Sequence, residues 1–133
     1  MTYMLDTNMC IYFIRRRSPQ VLEHFQRHTI GEIGISTVTL AELHYGAAKS
    51  QFSERNRQAL EAFTLPLEIA PFDAAAAAAY GPVRAALERQ GTPIGAMDML
   101  IAAHALSLRL TLVTNNTREF ARVQGLSVEN WTT

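Results

Sequence analysis

The stretch Tyr3-Met4-Leu5-Asp6-Thr7-Asn8 sets three apolar residues directly before three residues that favour helix caps and turns. The apolar triplet suits a short buried strand, and Asp-Thr-Asn suits the turn from that strand into a helix. In an open parallel sheet the carboxyl ends of the strands form the edge where ligands bind. Asp6 is therefore expected at that edge, and the rest of the chain is read for further acids that reach it.

Working outward, Met9 to Ile14 and the arginines after it read as a short helix stopped by Ser18 and Pro19, with a second helix over Val21 to His28. Ile33-Gly34-Ile35 is a brief β-run ending in Ser36 and Thr37, whose hydroxyls cap a helix from about Val38 to Lys49 that carries Glu42. Ser53 opens another helix, with Leu60 and Phe63 on its apolar stripe and Pro66 at its end. Leu67 to Phe72 reads as a third strand, and Asp73 caps an alanine-rich helix to about Gln90 with a kink expected at Gly81-Pro82. After a loop over Gly91 to Gly95, Asp98 begins an apolar helix through Leu108. Thr111 to Thr114 is a fourth strand, Asn115 to Arg118 a polar loop, and Leu126 to Glu129 a last strand. Strands alternating with helices predict an α/β fold: helices on both faces of a parallel sheet, as one domain over residues 1–133.

Composition narrows the function classes. Hydrophobic residues make up 48% and charged residues 18%, and no apolar run approaches the ~18 residues of a membrane span. The single cysteine, Cys10, excludes an internal disulfide and any multi-cysteine zinc site, so a reducing cytosol is the expected location. Lys+Arg and Asp+Glu are both 12, so no overall field draws nucleic acid and local placement must do so. Lys49 is the only lysine; the arginines include the run Arg15, Arg16, Arg17, which reads either as phosphate contacts or as a solvated helix end. His24, His28, His44 and His104 read as scattered surface or core residues rather than ligands.

Four places carry candidate chemistry, each with a plainer alternative. Asp6 is an N-cap or an active-site acid. Glu42 has Val38, Tyr45 and Gly46 as its helical neighbours, a mainly apolar and small surface on which a carboxylate needs a partner; the alternative is a capping box with Thr39. Asp98 lies in Thr92-Pro93-Ile94-Gly95-Ala96-Met97-Asp98, where Gly95 allows close approach and Ala102 leaves room one turn on; the alternative is again an N-cap. The loop Thr114-Asn115-Asn116-Thr117-Arg118-Glu119-Phe120 follows a strand as Asp6 does, and meets it if the first and fourth strands are neighbours. Asn116 and Glu119 would then add oxygens and Thr114 would orient a water or phosphate, or Glu119 is an exposed loop acid. Gathered carboxylates repel by ~4 kcal/mol per pair at about 4 Å and an effective dielectric near 20. A divalent cation held by oxygens, Mg²⁺ or Mn²⁺, removes that difficulty and suits phosphodiester hydrolysis.

In these motifs the chain resembles the PIN-domain ribonucleases, in particular the VapC toxins of bacterial toxin–antitoxin pairs. The matching residues are Met4-Leu5-Asp6-Thr7-Asn8, Glu42, Pro93-Ile94-Gly95 with Asp98 and Ile101-Ala102, Thr114 to Phe120, and the ending Val128-Glu129-Asn130-Trp131. The resemblance implies a three-layer α/β/α PIN-like domain with a central parallel sheet, Mg²⁺-dependent endoribonuclease action in the cytoplasm, and a homodimer. It implies Asp6 and Asp98 as metal holders with Glu42 beside them, and a further acid in the last motif, a role that falls to Glu119 or Asn116. It also implies a VapB-type antitoxin whose C-terminal segment wraps the toxin, for which the apolar faces around Val38 to Ala47 and Leu60 to Phe63 are docking candidates. Initiator tRNA, cut in its anticodon stem-loop, is the implied substrate. Thr7, Asn8, Arg15, Arg16, Arg17 and Thr114 are candidate RNA contacts.

Two other readings compete. An aspartate-based phosphotransfer domain also sets an aspartate after a strand, but needs a lysine after a late strand, and Lys49 is on the wrong element. A non-catalytic PIN-like binding module keeps the fold without the chemistry, against which stand the three principal acids Asp6, Glu42 and Asp98.

Overall fold

A computed structural model describes residues 1–16, 19–29 and 31–132. Its elements run β1 (Tyr3–Leu5), α1 (Thr7–Arg16), α2 (Pro19–Arg27), β2 (Ile33–Ser36), α3 (Thr37–Lys49), α4 (Ser53–Thr64), β3 (Glu68–Ala70), α5 (Ala74–Arg89), α6 (Ala96–Ser107), β4 (Thr111–Val113), α7 (Thr117–Phe120) and β5 (Ser127–Glu129). The strands form one parallel sheet in the order β3-β2-β1-β4-β5. The chain thus builds outward from β1 to β3, then returns to lay β4 on the other side of β1. That reversal puts a topological switch point between β1 and β4, the crevice where α/β sheets bind ligands.

The inner strands β1, β2 and β4 are largely buried on both faces because helices cover both. Met4 and Leu112, paired in register, enter one core with Val83, Leu87, Ile101 and Phe120 beneath α5 and α6. Leu5, with Ile35 and Val113 as its register partners, enters the other core with Met9, Leu43, Leu60 and Trp131 beneath α1 to α4. Successive residues of one strand therefore serve opposite layers, and the expected α/β/α architecture stands. Gly34 has no room for a side chain: a Cβ there would lie 2.5 Å from the carbonyl of Glu68 on β3.

Several element boundaries differ from expectation. Pro19 opens α2 as its first residue, where its missing N–H costs nothing. α5 continues as one helix through Pro82, and β3 occupies only the middle of the expected strand. The polar loop after β4 winds into the one-turn α7, and α6 starts two residues before Asp98. His24 and His28 are not scattered: they stand four apart, and both rings stack on Trp131, at 4.9 and 5.6 Å between centroids, with Tyr3 packed edge-on to the indole. Cys10 is buried, which pushes its thiol pKa up and makes it a core residue. Among the described residues no helix is long and apolar enough to cross a membrane.

Candidate active site

Asp6 follows the last residue of β1, and its amide donates to the carbonyl of Val113 at 3.0 Å, extending the β1–β4 pairing by one step. Its side chain is held at both oxygens. Oδ1 accepts the amide of Met9 at 2.8 Å, the N-cap bond of α1, and Oδ2 accepts the hydroxyl of Thr114 at 2.6 Å. The cap and the site are therefore the same residue. Asp6 is only 1% exposed, and burial is the main force pushing its pKa from 3.8 to about 6. The bonds from Thr114 and Met9 oppose that rise, while the charges of Asp98 and Glu42 add to it.

Glu42 is not in a capping box. Ser36 caps α3 through the amide of Val38, at 3.0 Å, and Thr39 lies inside the helix. Glu42 instead reaches across to the start of α1, where Oε1 accepts the hydroxyl of Thr7 at 2.6 Å. One oxygen is so fixed by the residue next to Asp6, and the other has no hydrogen-bond partner among the described residues.

Asp98 sits in the first turn of α6, where the helix dipole favours a negative charge. The cap position belongs to Gly95, so the N-cap alternative does not apply to Asp98. Its pKa is raised by half-burial first, then by the charges of Glu42 and Glu119. Gly95 borders this corner: a Cβ there would lie 3.4 Å from Oδ2 of Asp98, in ordinary contact.

The fourth strand is indeed beside the first, and its following loop closes the set. Thr114 Oγ1 donates to Asp6 and accepts the amide of Asn116 at 2.9 Å. Asn116 sits at the start of α7 without a side-chain capping bond, and Glu119 on α7 turns its charge toward Asp98. Thr114 is 0% exposed, so it stands behind Asp6 as a support, not on a surface that RNA would touch. Thr7, with its hydroxyl on Glu42, is half-buried; Asn8, Arg15 and Arg16 are exposed, and Arg17 lies outside the described residues. Arg16 lies over the ring of Tyr12, 5.2 Å from its centroid.

Four carboxylates, from the β1–α1 junction, α3, α6 and α7, thus lie within electrostatic reach of one another around the switch point. The ion pairs of the described residues all lie elsewhere, such as Arg27–Glu23 and Arg84–Glu88, and none involves these four acids. Nor, among the described residues, do three acids or histidines converge as a preformed metal cage. The donor set is nevertheless that of a hard cation: only oxygens, two of them on carboxylates whose charged form is disfavoured until a cation arrives. Asp6 and Asp98 fit as holders of such an ion.

A groove of about 490 Å³ leads away from Glu42 between α1, α3 and α4, with Arg15 and Lys49 on its rim. Sequence reading passed over Lys49 as a site residue, although it lies seven residues from Glu42 and so on the same face of α3. Its ammonium lies 4.9 Å from the centroid of Tyr45. A second groove, about 470 Å³ and lined by Phe13, Leu22, Phe25, Phe63 and Pro66, continues the first through Ile14 and Ala59.

Comparison with known proteins agrees with this fold. The PIN domain family matches residues 3–126. A tRNA(fMet)-specific endonuclease VapC of Shigella flexneri is 50% identical over 129 residues, 97% of each chain. The crystal structure of DNA-bound VapBC from Salmonella typhimurium contains a chain that superposes with a TM-score of 0.95 at 45% identity, covering 98% of both chains. In a VapBC-1 structure from nontypeable Haemophilus influenzae the corresponding values are 0.92 and 36%, covering all of both chains. With its acids at the switch point and this likeness along nearly its whole length, the chain belongs to the PIN-domain family, among the VapC ribonucleases.

Proposed function

We propose that this chain is a divalent-cation-dependent endoribonuclease, the toxin of a bacterial toxin–antitoxin pair, acting in the cytoplasm as a single PIN domain. The observation that carries the chemistry is the set of four acids at one sheet edge, two with raised pKa values and none paired with a cation of the chain among the described residues. Asp6 and Asp98 would hold the ion, with Mg²⁺ favoured and Mn²⁺ a substitute, and Glu119 or Asn116 would complete its surroundings. When bound, the cation supplies charge neutralisation at the phosphate and a more acidic water.

The chain's own residues do the rest. Thr114 keeps Asp6 oriented and lowers its proton affinity. Glu42, with Oε1 pinned by Thr7, takes the proton of the attacking water on its free oxygen as that water approaches the phosphorus in line with the departing ribose oxygen. The O–P bond to the leaving ribose breaks as the new one forms, the leaving oxygen takes a proton from solvent water, and Glu42 returns its proton to solvent. Arg15, Arg16 and Asn8 would meet the RNA backbone from α1, a reading supported by their exposure.

The substrate favoured is initiator tRNA, cut in its anticodon stem-loop, a reading supported by the tRNA(fMet)-specific endonucleases of Shigella flexneri and Salmonella typhimurium, the latter 46% identical. The partner is a VapB-type antitoxin, supported by the solved VapBC complexes. Its C-terminal segment would lie along the two joined apolar grooves and bring a basic side chain to the acids, a use for the α3 and α4 faces that the sequence had marked. The free toxin is proposed to be a homodimer.

The test is cleavage of purified initiator tRNA with Mg²⁺ by wild type, Asp6→Asn and wild type in EDTA, with the cut mapped. A single anticodon stem-loop cut that vanishes in both controls is expected. Persistent cleavage by Asp6→Asn would remove Asp6 from the site, and no cleavage by antitoxin-free wild type would favour the binding-module reading.

A further inference from the structure

His104 lies on α6 and is 1% exposed; its Nδ1 is 2.8 Å from Oγ of Ser36, which is itself 0% exposed. Ser36 Oγ already accepts the amide of Val38, and among the described residues Nδ1 of His104 is the acceptor within reach of its hydroxyl. Nδ1 is then the acceptor and the Ser36 hydroxyl the donor. Burial depresses the pKa of the imidazole and keeps it in this neutral form. Ser36 Oγ at the same time accepts the amide of Val38 as the cap of α3. Two further contacts lock the corner: Thr37 Oγ1 accepts the amide of Phe72 at 3.0 Å, and the Phe72 ring packs edge-on to His104, 5.3 Å between centroids.

The bond joins the two helices that carry facing acids. Ser36 stands six residues before Glu42 on α3, and His104 six residues after Asp98 on α6. At ~1.5 Å of rise per residue, each acid sits about 9 Å along its helix from the shared bond. A tilt of about 10° over such an arm displaces a carboxylate by about 1.6 Å, enough to spoil a cation site. Nothing else in the proposed chemistry uses this buried polar pair.

We propose that the His104–Ser36 hydrogen bond is a positioning device for the active site, fixing the angle between α3 and α6 and hence the gap between Glu42 and Asp98. The inference rests on the reading of those acids as a cation-binding set. A contact that served stability alone would lower the melting temperature of a variant without changing its affinity for a cation well below that temperature.

Mn²⁺ titration of the metal-free, full-length chain by isothermal calorimetry separates the two, with Asp98→Asn as reference. Wild type is expected to bind and Asp98→Asn to lose binding. His104→Leu, which leaves the Ser36 cap on Val38 intact, is expected to bind about tenfold more weakly. Ser36→Ala removes the cap on Val38 as well as the bond to His104 and should weaken binding at least as much, and the double variant no further than Ser36→Ala alone, since the His104 bond is already gone. His104→Asn, whose side-chain oxygen can take the Ser36 hydroxyl, and Ser36→Thr, which keeps both hydroxyl and cap, should recover most of the affinity. In RNA cleavage at saturating Mn²⁺, kcat should fall for His104→Leu with KM for RNA unchanged. Wild-type affinity in His104→Leu, beside an Asp98→Asn chain that cannot bind, overturns the positioning role alone. A wild-type chain that binds no Mn²⁺, or an Asp98→Asn chain that binds it equally well, overturns the acid-cluster reading and this inference together. Should His104→Leu fail to fold, Ser36→Ala against Ser36→Thr decides, and equal affinities for those two overturn the proposal.

Discussion

The N-termini of α1 and α5 are built by the same local chemistry and end up with opposite fates. Asp6 accepts the amide three residues on, at 2.8 Å, and Asp73 does the same for α5, at 3.0 Å. Each aspartate caps a helix that follows a parallel strand. Asp73 stands beyond β3 at the sheet's edge and is exposed, whereas Asp6 follows the central β1, beside the switch point, and is buried. There its second oxygen meets Thr114, and Asp98 and Glu42 lie close enough to raise its pKa. The cap motif is thus neutral about function; the position of the preceding strand in the sheet decides it.

RNA cleavage should show the contrast at its largest. Asp6→Asn keeps a capping oxygen for Met9 but removes the charge, and cleavage should fall by about two orders of magnitude or more. Asp73→Asn makes the same chemical change at the other cap and should cleave initiator tRNA at the wild-type rate. Equal losses in both would mean that the effect travels through helix capping, and the distinction drawn between the two aspartates would collapse.

Stability should move in the opposite direction. A folded-state pKa of about 6 against an ordinary 3.8 means that between those values the folded protein keeps a proton that the unfolded chain has released. Stability from Asp6 is therefore highest below about pH 4 and is lost as pH rises to about 6. Asp98, raised by the same kind of cause, adds to that trend. In EDTA at pH 7, Asp6→Asn should be more stable than wild type by about 2–3 kcal/mol, with the gap closing near pH 4. Urea melts at both pH values measure it, and a variant less stable than wild type at pH 7 would show that the buried carboxylate is not under strain. Adding Mn²⁺ should raise the wild-type melting temperature and leave that of Asp6→Asn unchanged.

Thr114 sharpens the same contrast, since Asp73 has no such support. Its hydroxyl lowers the proton affinity of Asp6. Thr114→Val, close to the same shape and fully buried, should move the acid limb of the cleavage pH profile to higher pH and leave KM for RNA unchanged. A raised KM with an unmoved acid limb would instead make Thr114 an RNA contact.

Much of this was legible in the chain itself. The apolar strand followed by Asp6, the acid on the small-residue face of α3 and the Gly95-to-Asp98 string each carry a local signal, enough to expect the fold, while the grouping of their acids with Glu119 or Asn116 rested on the family resemblance. What was illegible depended on strand order. The capping-box alternative for Glu42 falls only because Thr7 is brought across to it, and Thr114 changes from an exposed contact to a buried support only because β4 lies against β1. His104 gave no warning, since its partner Ser36 is 68 residues away in sequence. α7 was hidden for a different reason: a four-residue helix has no periodicity to detect.

The smallest expected effect completes the comparison from the side of the ordinary cap. Asp73→Ala removes the bond to the Ala76 amide at an exposed helix start, and its cost should be the usual one for a lost N-cap, about 1 kcal/mol. The alanine-rich α5 has high intrinsic propensity, so the loss should fray its first turn without unfolding the domain. Cleavage should survive, because Asp73 bonds the start of α5 and, among the described residues, none of the site's acids. If thermal melts show Asp73→Ala costing several kcal/mol, or if its cleavage falls, then this corner bears on the active site through a longer route. The charge of Asp73 also raises the proton affinity of His104, so such a result would point to the His104–Ser36 bond as the link.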